Sequence, residues 1–350
     1  MYTRQPFFFP CVPTTFIFTF ENTNTSTRLD NEKNKMSSIF VVFCVASSSL
    51  ISVQGETLLI TSGYQTFGFF KETQIINLEG RENSSQNCQE GIPYPLEVYG
   101  AVGGLLGEKP VVCGGLPANS VCYTLDEKWT RIPAISGRYH AASVQLGSDL
   151  WITGGNPGPN PPTMSTEIVL EDGTVLDGLD LPMPLTGHCI IAINNTTIML
   201  IGGFDGENFR KETYFLESGF WRQGPDLQIA RDTHTCGILK DTDTFEEYLI
   251  VAGGSTSYDT LDSVEMLPLR NGQDFYAGPR MPNSLARHNM VQYRNSLMAI
   301  GGYDGGYYSS AIYELACTST CSWTTRTERL KYSMAGMVSI MVPDYFCVEP

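Results

Sequence analysis

Basic residues are scarce in this chain. It has 22 Lys and Arg against 37 Asp and Glu, a formal charge of −15. A nucleic-acid or anionic-membrane partner needs a positive face, and this balance argues against both. The acidity itself is read as solubility. Histidine is scarcer still, with four in 350 residues. None sits in an HExxH or tight His/Cys cluster, so no metal site is expected. There is no G-x-S-x-G elbow, no P-loop and no sialidase Asp-box. No cofactor is implied. Few stretches are helix-like, whereas 34 Gly and 20 Pro suit a chain with many turns.

What is present is a repeat. An apolar run closing on a glycine pair occurs at 197–206 (TIMLIGGFDG) and again at 296–305 (SLMAIGGYDG). Further copies end on Gly114-Gly115, Gly154-Gly155 and Gly253-Gly254, beside Gly202-Gly203 and Gly301-Gly302 in the first two. A degenerate copy, ETLLITSG, ends on Gly63. Such a run reads as a buried strand, and the glycines allow positive φ and close backbone approach. The glycine-rich stretches do not open helices, which excludes a phosphate loop.

The second glycines lie 40–52 residues apart, the length of a four-stranded propeller blade. Upstream of each doublet is an apolar stretch that often opens with Arg or His, as at Arg138, Arg231 and Arg287. Downstream comes a polar turn, then a short strand with Tyr123, Tyr214 or Tyr313, then a turn and often a Trp (Trp129, Trp221, Trp323).

This unit resembles the kelch repeat, over roughly residues 56–343. The resemblance implies an all-β, six-bladed propeller of four-stranded blades. The units are 56–96 with 332–343, then 98–135, 137–184, 186–228, 231–282 and 286–330. The third and fifth units lack the Trp, with Phe275 near its place in the fifth, and the first lacks both Trp and doublet. Thr57–Thr61 is already a second strand, with no first strand ahead of it. The stretch 332–342 (YSMAGMVSIMV) looks like a first strand with no second behind it. The C-terminal strand is therefore expected to complete the first blade and close the ring.

Residues 36–55 (MSSIFVVFCVASSSLISVQG) resemble a secretory signal peptide, with cleavage expected after Gly55. Met36 is then the expected working start and 1–35 a non-globular or mis-annotated leader. A signal-anchor helix is the rival, although about 20 apolar residues are needed to span a bilayer. Without 1–55, eight cysteines remain, an even count consistent with disulfides outside the cell. Cys113–Cys122 and Cys317–Cys321 each flank one turn, and Cys88–Cys347 would lock the clasp. Cys189 and Cys236 hold similar places on adjacent first strands, either bonded or as buried thiols. Asn83, Asn194 and Asn195 head glycosylation sequons.

His140, His188, His234 and His288 all fall near the start of a first strand, and those strands are commonly the innermost of a propeller. A metal ring and a repeated local hydrogen bond are the two readings, and channel width favours the second. Copper-radical oxidases share the kelch architecture, but their Tyr, His and Tyr–Cys ligands cannot be mapped here. Intracellular kelch adaptors carry an additional BTB domain, for which the chain has no room. Kelch propellers also include secreted sugar enzymes such as sialic-acid mutarotases. The expected function is a non-catalytic extracellular module, monomeric, holding an unknown protein or glycan on its loop face. Arg138, Arg231, Arg287, Tyr258, Tyr303, Tyr307 and Tyr308 are its candidate binding residues. An enzyme would instead show Arg, His and carboxylate groups converging in a closed pocket at the channel mouth.

Overall fold

The computed structural model describes residues 57–78, 90–117, 120–270 and 272–343. The leader, the signal-like segment, Asn83, Cys88 and Cys347 lie outside them. Every regular element among the described residues is a β-strand, and none of them forms a helix long and apolar enough to cross a membrane.

Five sheets have four strands each, in up-and-down order. A sixth joins Val338–Val342, Thr57–Thr61 and Gln74–Asn77. Counting this sheet as blade 1, the innermost strands are Val338–Val342, Val102–Leu106, Ala142–Leu146, Cys189–Asn194, Thr235–Lys240 and Asn289–Tyr293. Each packs against the next, and the last packs against the first, so the propeller is closed. Blade 1 is completed by the C-terminal strand as expected, with Leu59 opposite Ile340 in an antiparallel pair.

The second strands lie inside their sheets and between neighbouring blades, so both of their faces are covered. Thr57–Thr61 and Ser296–Ile300 are buried at every residue. That is why these segments read as unbroken apolar runs and not as alternation. The core is divided among the seams. Met199, Ile201, Leu249 and Val251 fill the seam between blades 4 and 5, and Leu58, Ile60, Met298 and Ile300 the one between blades 6 and 1.

The glycine doublets join blade to blade. The second glycine donates its N–H across the seam from Gly63 to Val98, Gly115 to Arg138, Gly155 to Leu185, Gly203 to Arg231, Gly254 to Leu285 and Gly302 to Met334, at 2.7–2.9 Å. Gly203 has φ +105°, and a Cβ there would stand 2.7 Å from the Cβ of His188 and 3.0 Å from the Thr186 carbonyl oxygen. Gly202 clears space for the following blade, since its Cβ would meet His234 Cε1 at 2.9 Å.

The blades alternate in a second feature. At one register position of the third strand stand Gln74, Tyr123, Glu167, Tyr214, Glu265 and Tyr313 in turn. The three Tyr blades carry the Trp. Trp129, Trp221 and Trp323 donate their indole N–H to the carbonyls of Ile92, Asp180 and Pro279, each on the segment arriving from the previous blade, at 2.8–2.9 Å. The other three blades fasten that segment with a carboxylate or amide. Glu167 accepts from the Ser136 N–H, Glu265 from those of Gln228 and Ile229, and Gln74 from that of Lys331. The units that lack Trp are therefore a second kind of blade.

Three disulfides are described. Cys113–Cys122 and Cys317–Cys321 close hairpins within blades 2 and 6, as expected. The pair whose state stayed open, Cys189 and Cys236, is bonded and joins the inner strands of blades 4 and 5.

Candidate functional site at the channel mouth

Each inner strand is entered through one residue with a left-handed backbone. These are Gly100, His140, Gly187, Thr233, Arg287 and Gly336, with φ between 49° and 66°. Their amides form a closed circle. Each N–H donates to the carbonyl of the ring residue in the preceding blade, and Gly100 donates to Gly336, at 2.6–2.9 Å. This ring is the rim of a cavity of about 270 Å³ that continues down between the inner strands. Three of its members carry side chains, although the left-handed region disfavours them. Strain of this kind concentrates at functional sites.

His140 and Tyr99 form one pair at the rim, with Nε2 2.5 Å from the phenol oxygen. Burial, and then the charge of Arg287, pushes the His140 imidazole down to about 3. The ring is thus neutral, with one donor and one acceptor nitrogen. Burial also raises the Tyr99 phenol, against the pull of Arg287. Across the ring, Thr233 donates its hydroxyl to Asp232 Oδ1 at 3.2 Å. Burial pushes the Asp232 carboxyl up to about 6, with the Thr233 hydrogen bond and Arg287 opposing. Arg287 itself is exposed and lines the cavity, and among the described residues it enters no ion pair.

Aromatic rings form a wall around Tyr99, the residue before Gly100. Phe69 stacks on Tyr99 at 5.9 Å between centroids, and Tyr64 meets Tyr99 at 5.7 Å and Tyr308 at 5.6 Å. Tyr303 continues the wall at 5.3 Å from Tyr308. Tyr258 and Tyr307 stand away from it at loop tips, 91% and 80% exposed.

Two of the expected binding arginines are elsewhere. Arg138 and Arg231 are 1% and 0% exposed. Arg138 donates to the carbonyls of Ser136, Gly154 and Ser165, to Ser165 Oγ and to Glu167. Arg231 repeats the set with Ile229, Gly253, Ser263 and Glu265. A guanidinium has five N–H donors. Both are saturated inside the blade, so neither reaches a surface partner. Arg287 is not their counterpart. Leu285 occupies that place, its carbonyl accepting from Gly254 as that of Arg231 accepts from Gly203.

The histidines also divide. His140 is a ring residue. His188, His234 and His288 follow ring residues and are buried. His188 meets Thr153 at 2.9 Å and His288 meets Thr235 at 2.7 Å. They do not converge on the channel axis. No group of three or more His, Cys, Asp or Glu among the described residues could hold a metal ion.

Sequence reasoning did not single out Asp232, Tyr99, Tyr64 or Phe69. A signal for the register was available. His188, His234 and His288 are equivalent, so Arg231, three residues before its histidine, cannot match Arg287, which directly precedes its own. Alignment on histidine would have separated the two arginines and exposed Thr233 and Arg287 as ring partners.

No protein-family model matches the chain. Over 167 residues, 47% of this chain, it is 27% identical to Spermatocyte protein spe-26 of Caenorhabditis elegans, and the match spans 28% of that protein. Among solved structures it is similar to that of YjhT, with a TM-score of 0.58 and 15% identity, over 71% of this chain and 88% of that one. At that identity the likeness speaks for the fold alone.

Proposed function

We propose that this protein takes a small acidic sugar at the mouth of its channel, outside the cell. The observation that carries the reading is Arg287, which lines one cavity with His140, enters no ion pair among the described residues, and acts by its charge on Asp232, Tyr99 and His140. A guanidinium grips a carboxylate through two parallel hydrogen bonds. The rings of Tyr64, Tyr99 and Tyr308 offer apolar faces suited to the C–H face of a pyranose. A concave site with an apolar wall and a few convergent polar groups is the usual form of a small-ligand pocket. The kelch resemblance, which includes sugar enzymes, favours the same reading. The Asp232 carboxyl, pushed up to about 6, stands across the ring from the Tyr99–His140 pair, and the two sides suit proton transfer at a sugar hydroxyl held between them. The extracellular address rests on the signal-like segment and the three disulfides.

Calorimetric titration against matched acidic and neutral monosaccharides tests this. An acidic sugar should bind, its neutral analogue should not, and Arg287→Ala should abolish binding. Binding by neither, or binding that survives Arg287→Ala, ends the reading. Anomer exchange followed by NMR then reports turnover.

A protein partner is the second reading. It is favoured by Phe67, Tyr258 and Tyr307, which are 94%, 91% and 80% exposed. Affinity capture that is lost when these three become alanine, yet kept in Arg287→Ala, would make the aromatic loop tips the site.

A further inference from the structure

The central channel holds a covalent bond that the ligand-binding reading does not use. We propose that Cys189–Cys236 is a site of thiol–disulfide exchange, open to a small thiol entering through the channel. This inference is independent of what the mouth binds.

Its place in the channel separates this disulfide from the other two. Cys189 and Cys236 are both half-buried and line the channel cavity. Cys113 and Cys122 are 0% exposed; Cys317 is 1% exposed and its partner Cys321 is half-buried on the outermost strand of blade 6, away from the channel. Exchange requires a thiolate to approach a sulfur, so a buried pair reacts only when the structure opens, whereas a channel-lining pair reacts in the folded state.

The position gives the reaction a consequence. The bond ties the innermost strands of blades 4 and 5. Blade 5 has no Trp, so this seam lacks the indole latch that fastens blade 2 to 1, 4 to 3 and 6 to 5. Besides the apolar cluster, the seam has the Glu265 contacts to the Gln228 and Ile229 amides, the Gly203-to-Arg231 bond and the ring bond from Thr233 to Gly187. Cys189 lies two residues beyond Gly187, and Cys236 three beyond Thr233. The disulfide therefore braces the two inner strands just below the ring residues Gly187 and Thr233.

The chemistry balances with a monothiol as reductant. Its thiolate attacks one cysteine sulfur, a new S–S bond forms as the old one breaks, and the displaced cysteine leaves as a thiolate that takes a proton from water. A second thiolate attacks the mixed disulfide at the reagent sulfur. The reagent departs oxidised, as its own disulfide, with both cysteines reduced. The flanking His188 and His234 are held neutral by burial and add no positive charge beside the sulfurs. The rate should therefore follow the reagent's own thiolate fraction, rising about tenfold per pH unit below the reagent's pKa.

The test uses the folded protein in native buffer, treated with increasing glutathione or dithiothreitol, quenched with acid, alkylated and peptide-mapped. Cys189 and Cys236 should be labelled at thiol concentrations that leave the wholly buried Cys113–Cys122 oxidised. Amide exchange at Thr233 should accelerate at least tenfold in that partly reduced protein, and equally in Cys189→Ala/Cys236→Ala. Labelling of Cys113–Cys122 first, or opening of Cys189–Cys236 only when circular dichroism reports unfolding, overturns the exchange site. Unchanged exchange at Thr233 in the reduced protein overturns the link to the rim. If the double variant does not fold, the wild-type labelling and exchange still decide both points.

Discussion

Arg231 donates to Glu265 at 2.7 Å with both side chains withdrawn from solvent, and Arg138 repeats the contact with Glu167 at 2.5 Å two blades away. A buried ion pair is costly to half-remove, because the surviving charge is left uncompensated. Glu265→Ala should therefore lose about 3–5 kcal/mol of unfolding free energy. Arg231→Leu/Glu265→Leu should lose less than the single variant. Its main cost is the Gln228 and Ile229 amides that Glu265 now caps, about 1–3 kcal/mol each if they find no water. Urea unfolding of the two variants checks the order, and a double variant weaker than the single would refute this account.

The indole latches carry a smaller, separable contribution. Trp129→Phe keeps most of the apolar face in the seam between blades 1 and 2 but removes the donor to Ile92. A loss of about 1 kcal/mol is expected for the hydrogen bond, against about 3–5 for Trp129→Ala, which also empties the site. Denaturant midpoints for the pair separate the two contributions.

The glycine doublets can be compared with a glycine that has room. Gly219 sits in a hairpin at φ +82° with no heavy atom within 4 Å of where an alanine methyl would stand, so Gly219→Ala meets only backbone strain, about 1–2 kcal/mol. Gly203→Ala adds the clash with His188 and the Thr186 carbonyl, about 1–3 kcal/mol more. Thermal unfolding of both proteins should show the larger drop at Gly203, and equal drops would refute the close-approach account.

Acid should loosen the propeller. Burial pushes His188 down to about 3 and His288 to about 4, and holds His234 well below its ordinary 6.5. Each binds fewer protons folded than unfolded over that window. The stability that each contributes is full above 6.5 and is lost as pH falls toward its folded value. The loss by pH 4 is on the order of 3 kcal/mol for each of His188 and His288. Asp232 acts in the opposite sense. Its folded value of about 6 exceeds 3.8, so its contribution is full below 3.8 and is lost as pH rises through 6. With His140, also pushed down to about 3, four groups outweigh one, and urea midpoints should fall between pH 7 and pH 4. His188→Gln, which cannot become charged, should flatten that slope.

The architecture was legible in the sequence because its signals are local. Doublets such as Gly202-Gly203 mark a backbone approach that no other residue permits, and the unmatched Thr57–Thr61 and 332–342 segments point to each other. The alternation of blades was half visible. The third and fifth units show along the chain only that they lack the Trp, whereas in the fold Glu167 and Glu265 hold the segments that the indoles hold elsewhere. The site was less legible, because it depends on which way a side chain turns. Arg138, Arg231 and Arg287 look alike along the chain, yet a two-place shift in register separates an interior clamp from the channel rim. Asp232 and Tyr99 carry no motif. They matter only because the backbone circle brings entry segments from different blades to one opening.

The pairing of Leu59 with Ile340 sets a timetable for biosynthesis. The strand that begins the circle leaves the ribosome almost three hundred residues before the strand that lines its inner edge. Throughout elongation the growing array must carry an unpaired strand edge at its leading end. Adjacent blades can dock as they emerge, but the final closure belongs to the interval after residue 342 has been made, and a chaperone that shields Thr57–Thr61 until then would be guarding the most aggregation-prone edge of the nascent chain.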